Sequence, residues 1–185
     1  DYNWSDTSVT PTPTMTPTIT PTPDPASTMT LELQVTLQGR GDPPSARWAA
    51  PREVQLAAPG GAVQHTYAVT CNTSGLATIT GAPQGSYDVY ARSAASLQNV
   101  VRNRTLTAGT LRLDLGALTE GDANLDNRVN ILDFSILASA YGTSQGQPGY
   151  DARGDANGDN VVNILDFSLL ASNYGQTGPL EVSGD

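Results

Sequence analysis

The sequence predicts a multidomain chain in which an extended Thr/Pro-rich N-terminal linker leads into an all-β two-sheet sandwich, followed by a small all-α module. Three observations predict it. Residues 10–25, TPTPTMTPTITPTPDP, hold seven Thr and six Pro. Between residues 31 and 115 lie seven short runs of alternating or β-rich character, separated by Gly, Pro and Asn. Residues 121–142 and 154–175 are near-duplicates, identical at 18 of 22 positions. These features divide the chain into a linker segment (1–29), a sandwich (30–118), a duplicated module (119–178) and a tail (179–185).

The linker cannot supply a buried core, and alternating Thr and Pro favours a polyproline II spacer. The same composition marks O-glycosylated stalks of exported proteins, and the sequons at Asn3, Asn72 and Asn103 are candidate glycosylation sites. The chain opens Asp1-Tyr2-Asn3 without initiator Met or a signal-like apolar run, as a processed soluble product would. Tyr2 and Trp4 lie two apart, so an extended segment turns both to one side. This supports an alternative reading in which the chain is a self-assembling extracellular subunit, its N-terminal segment adding as a strand to a neighbouring copy's sandwich.

The seven runs are LELQVTL (31–37), VQLAA (54–58), VQHTYAVTC (63–71), LATIT (76–80), SYDVYAR (86–92), NVVRNRTL (99–106) and LRLDL (111–115). Seven short strands in this space read as an immunoglobulin-like sandwich. The stretch from Leu76 to Tyr90, with Gly81, Pro83 and Gly85 between a strand and a Tyr-bearing strand, resembles transthyretin-like and Cna-B-like domains of surface proteins. Some Cna-B domains carry a lysine isopeptide, which this chain cannot form because all nine basic residues are arginine.

Charge is uneven. The net −9 resolves into −3 over residues 1–29, +2 over 30–118, −6 over 119–167 and −2 beyond. No basic face is available for nucleic acid. One histidine (His65) and one cysteine (Cys71) exclude His/Cys zinc sites, CxxC redox motifs and disulfide frameworks, so any metal must be held by oxygen. His65 falls inside a strand run, Cys71 reads as a buried thiol and Trp48 as a loop anchor. Gly142-Thr-Ser144-Gln-Gly146 matches a nucleophile elbow by letter but lies in the connector between the duplicated segments, not between strand and helix. Nothing else suggests catalysis, and the chain reads as non-enzymatic with no transmembrane segment.

The duplication carries the chemistry. Its copies place Asp122, Asn124, Asp126, Asn130 and Asp133, then Asp155, Asn157, Asp159, Asn163 and Asp166, at positions 1, 3, 5, 9 and 12 of a twelve-residue loop. A loop wrapped around a hard cation turns alternate side chains inward, takes a main-chain carbonyl at position 7 (Arg128, Val161) and closes with a carboxylate from the incoming helix. Two loops therefore predict two Ca2+ ions. Position 6, usually Gly, is Asn127 and Asn160, the residue type that best tolerates positive φ. Val129 and Val162 are expected to pack the loops together. Phe134, Leu137, Ala138 and Tyr141, repeated as Phe167, Leu170, Ala171 and Tyr174, fall at helical spacing and read as core; Gly142 and Gly175 read as C-terminal caps.

Paired GDxNxDxxVNxxD segments, each followed by one helix and about 33 residues apart, resemble a type I dockerin over residues 119–176. The resemblance implies a module that folds on calcium and docks onto cohesin modules of extracellular scaffolds, making the chain a secreted or surface-attached adapter with the sandwich as spacer. It further implies recognition residues at Ile131, Leu132, Ala138 and Ser139, and at Ile164, Leu165, Ala171 and Ser172. With Ile-Leu at loop positions 10 and 11, the partner's face is expected to be apolar, and the two copies to offer near-equivalent faces.

Overall fold

Alternation along MTLELQVTL builds the first strand, β1 (Met29–Leu37), whose Met29, Leu31, Leu33, Val35 and Leu37 all point into the core while the intervening residues do not. The computed structural model describes residues 28–185. The Thr/Pro tract, Asn3 and the N-terminal segment proposed for strand addition lie outside the described residues. Met29, placed in the linker segment by composition, opens β1 and is buried.

β1 is central in a three-stranded sheet. It pairs antiparallel with β4 (Leu76–Ala82) and parallel with β7 (Gly109–Leu118). The facing sheet contains β2 (Pro51–Ala57), β3 (Val63–Thr70), β5 (Gly85–Arg92) and β6 (Asn99–Leu106), ordered β3-β2-β5-β6, with a short β8 (Leu180–Glu181) added parallel to β6. The seven expected strands thus form two sheets over one apolar core. Tyr87, Cys71 and Ile79 are among its members, and burial pushes the Cys71 thiol pKa up. Trp48 is buried within a short 3-10 helix (Ala46–Trp48), and His65 on β3 meets Tyr87 edge to face at 6.1 Å.

Residues 179–185, set apart as a tail by sequence, return to the sandwich. Leu180 N–H donates to Gln98 O (2.8 Å) and Val182 N–H to Val100 O (3.0 Å), while Val182 packs on the sandwich core. Arg102 pairs with Glu181 and with buried Asp88, and Arg104 holds the Ser183 carbonyl. The module between these crossings contains two ten-residue helices, α1 (Ile131–Ala140) and α2 (Ile164–Asn173). Its core gathers Val129, Leu137, Ala140, Val162 and Leu170 with Leu97, which comes from the loop before β6. Sandwich and module therefore share a hydrophobic contact, and the chain leaving the module adds a strand to the sandwich.

Candidate functional site

Each loop is held by its own aspartates, in the same pattern twice. In the first, Asp122 accepts from the N–H groups of Asp126 (3.1 Å) and Asn127 (2.9 Å), Asp126 from Arg128 (2.9 Å), and Asp133 from Asn124 (3.0 Å) and Asn130 (2.8 Å). In the second, Asp155 accepts from Asp159 and Asn160, Asp159 from Val161, and Asp166 from Asn157 and Asn163. Asn127 and Asn160 take φ of 65° and 68°, the left-handed conformation their place in the loop demands.

Asn130 and Asn163 have another task. Each is the N-cap of its helix and accepts from Leu132 N–H (2.8 Å) or Leu165 N–H (2.7 Å), forming a capping box with Asp133 or Asp166. One aspartate thereby serves both the helix start and the loop. Gly142 and Gly175 follow the helices with φ of 81° and 87°, and their N–H groups donate to Val162 O and Val129 O (2.8 Å each). Each loop valine is thus bonded to the chain leaving the other copy's helix, and both valines are buried.

Charge within the loops is uncompensated. Asp122, Asp133, Asp155 and Asp166 are all buried, and among the described residues none of the six loop aspartates pairs with an arginine. Burial, with the Asp133 and Asp126 charges, outweighs the donated N–H bonds and pushes the Asp122 carboxyl up to about 6. Burial likewise raises Asp166, supported by Asp155 and Asp159. Among the described residues no three Asp, Glu, His or Cys side chains close on a metal-sized point by themselves. The set expected from sequence is wider and would add the oxygens of Asn124, Asn130, Asn157 and Asn163 and the carbonyls of Arg128 and Val161. All-oxygen donors around desolvated anions fit a hard divalent cation. Tyr150 distinguishes the second loop: burial, followed by its hydrogen bond to Asp155 (2.9 Å), pushes the phenol up to about 12.

The helix stripe expected as core is mostly not core. The buried edge runs Asp133–Leu137–Ala140 and Asp166–Leu170–Asn173, because the first-turn aspartate must face its loop and the helix is rotated to put it there. Leu137 and Leu170 are buried as expected. Ala138, Ala171, Tyr141 and Tyr174 are exposed, the tyrosines at 51% and 56%. Phe134 and Phe167 meet edge to face at 5.9 Å between the helices.

Two related grooves flank that aromatic pair. Ile131, Phe134, Phe167, Leu170, Ala171 and Tyr174 line one of about 420 Å3; the residues at the reciprocal positions line another of about 410 Å3. Of the proposed recognition residues, Ile131 and Ala171 line the first groove and Ile164 and Ala138 the second. Leu132 and Leu165 stand exposed beside them, and Ser139 and Ser172 are exposed with their hydroxyls bonded to Ile136 O and Leu169 O. Sequence reasoning missed the tyrosines because helical spacing shows which residues align, not which aligned face is covered. The sequons Asn72 and Asn103 lie exposed, Asn72 accepting from Ser74 and Leu76 N–H in a turn and Asn103 at φ 53° in β6.

Fold and site together define a β-sandwich protein carrying a duplicated loop–helix module. Residues 120–173 of that module match the family model for the dockerin type I domain. The structure is similar to chains in two crystal structures of a type II cohesin–X-dockerin complex from Acetivibrio cellulolyticus, one a C-terminal and one an N-terminal interface mutant. Both likenesses have a TM-score of 0.60 and cover 80% of this chain and 97% of the other, at 20% and 19% identity, and so speak for the fold. No match was found among curated proteins. Among the described residues no helix is long and apolar enough to cross a membrane.

Proposed function

We propose that the chain is an extracellular, non-catalytic adapter whose module folds on two calcium ions and docks onto a cohesin-like partner, with the transthyretin-like or Cna-B-like sandwich as spacer. The observation that carries this reading is the open apolar face of the module. Ile131, Leu132, Tyr141, Ile164, Leu165, Phe167 and Tyr174 are all exposed, and Val63 alone among large exposed apolar side chains of the described residues lies elsewhere. A contiguous face of this kind marks an interaction surface.

Asp122, Asn124, Asp126, Asn130 and Asp133, with Asp155, Asn157, Asp159, Asn163 and Asp166, are the side chains that would hold the ions, aided by the Arg128 and Val161 carbonyls. Bound calcium would neutralise the buried loop carboxylates. Asp133 and Asp166 couple loop to helix, since each also completes a capping box. That coupling orients Ile131-Leu132 and Ile164-Leu165, the first two residues of each helix. Because the helix face carries no exposed charge, binding should depend weakly on salt. Isothermal titration of the full chain against a recombinant type I cohesin module tests the reading: binding is expected in millimolar calcium and not in EDTA. Calcium-independent binding, or none in either condition, would refute it.

A further inference from the structure

The duplicated segments differ at four positions: Leu125 against Gly158, Arg128 against Val161, Ile136 against Leu169, and Ala140 against Asn173. Three of the second-copy residues meet one continuous stretch of sandwich, Gln38-Gly39-Arg40, immediately after β1. Asn173 donates to Gln38 Oε1 and to the Glu120 carbonyl (2.7 Å). Leu169 lies against Gly39 so closely that a Cβ there would meet its Cδ1 at 2.5 Å. Gly158 leaves space for the Arg40 guanidinium, where a Cβ would come within 2.7 Å of Cζ. A single stretch of chain can serve only one of two related copies. The departures from exact duplication therefore record where this stretch rests, on the second copy, while the first copy is held by other parts of the sandwich: Arg92 donates to Leu125 O (3.4 Å) and Gln98 N–H to Asn127 Oδ1 (2.9 Å).

That contact extends the docking face. Gly39 and Arg47 of the sandwich enclose a hollow of about 270 Å3 with Asn157, Leu165, Ser168 and Leu169. Leu165 belongs to the apolar face already described, so the hollow continues that face onto the sandwich. Arg47 is exposed, and among the described residues that line this hollow and the two helix grooves it is the only charged one. Its carbonyl accepts from Arg40 (2.9 Å), but its guanidinium takes no partner among the described residues.

We propose that Arg47 is a specificity-determining contact, supplied by the sandwich, for a partner seated over α2. The occupant is a cohesin-like module whose apolar docking surface carries an Asp or Glu at its rim. The two halves of the face, nearly identical in sequence, are then unequal: a partner over Leu165 meets a cation, and one over Leu132 does not. This rests on the docking reading above. An unpaired guanidinium at the rim of an apolar interface favours a carboxylate and adds salt dependence to one docking orientation only.

The test uses the full chain in calcium, titrated with a recombinant type I cohesin module. Leu132→Asp confines the partner to the α2 side and Leu165→Asp to the α1 side; both residues are exposed, and calcium-dependent melting verifies each fold. In the Leu132→Asp background, Arg47→Glu should weaken binding about tenfold at low salt and less at high salt, while Arg47→Lys retains most of the affinity. In the Leu165→Asp background Arg47→Glu should change nothing. Equal effects in both backgrounds, or none in either, would overturn the proposal while leaving the docking reading intact. A parent chain that binds no cohesin would overturn that reading and this proposal with it.

Discussion

The sandwich and the module bury carboxylates in opposite ways. In the sandwich Asp88 is buried but answered: it accepts from Gly60 and Asn103 N–H (2.9 Å each) and pairs with Arg102 (2.9 Å). In the module four aspartates are buried with hydrogen bonds from backbone N–H groups and, at Asp155, from Tyr150, but with no countercharge from an arginine. Their apolar support differs as much. Nineteen described residues form the sandwich core, against six for the module, and one of those six is the sandwich's own Leu97. The sandwich can hold itself together by burial, whereas the module borrows apolar support from its neighbour and, on the function proposed above, would draw the rest from a bound cation.

Removing calcium should separate the two most strongly. Where millimolar calcium stands over a micromolar site, each ion contributes about 4 kcal/mol to the folded state. In calorimetry with EDTA the module is expected to melt well before the sandwich, and an Asp133→Ala, Asp166→Ala double variant should melt the same way with calcium present. A single transition indifferent to calcium would break the contrast. Next in size is the borrowed leucine. Leu97→Ala should cost about 3 kcal/mol, the range for a fully buried leucine, and the loss should appear in the module's transition although residue 97 lies in a sandwich loop.

Much of the self-contained half could be read from the chain, and much of the dependent half could not. β1 announces itself because Met29 to Leu37 alternate strictly, and the positive φ of Asn127 follows from its place in the loop. Such features are decided within a dozen residues. The return of β8 to β6, the insertion of Leu97 and the burial of Glu120 depend on which surfaces meet, and no local period encodes that. Glu120 is instructive: burial pushes its carboxyl up to about 7, opposed by Arg40, while Ser93 donates to both its oxygens. In sequence it is simply an acidic residue in an acidic segment. The rotation of the helices was hidden for a related reason, since two adjacent stripes of each helix are apolar and only the demand of Asp133 on its loop chooses between them.

The two loops invite exchange substitutions that sharpen the comparison inside the module. Gly158→Leu installs the first copy's residue in the second, at φ 68° and against the Arg40 guanidinium. Arg40 would have to leave Arg47 O, Ala156 O and the buried Glu120 carboxylate, so a loss of about 2 kcal/mol is expected. Leu125→Gly should act oppositely, relieving a leucine held at φ 62° and stabilising by about 1 kcal/mol. Chemical denaturation in saturating calcium measures both, and equal effects of the same sign would show that the sandwich does not distinguish the copies.

The smallest effect lies in acid and belongs to the sandwich. Burial acts to raise the Asp88 carboxyl, but the Gly60 and Asn103 N–H groups and the Arg102 guanidinium together outweigh it and hold the carboxyl below its ordinary value. A carboxyl whose folded value is depressed contributes stability that is complete above its unfolded value, near 3.8, and is lost as pH falls through the folded one. The sandwich transition should therefore be flat in this respect above about pH 5 and slope downward below pH 4. Asp88→Asn is expected to be less stable than the parent at pH 7 and to lack this part of the slope, so the two curves converge in acid. Curves that stay parallel down to pH 2 would show that Asp88 gains nothing from Arg102, removing the contrast between an answered carboxylate and loop aspartates that no arginine among the described residues pairs with.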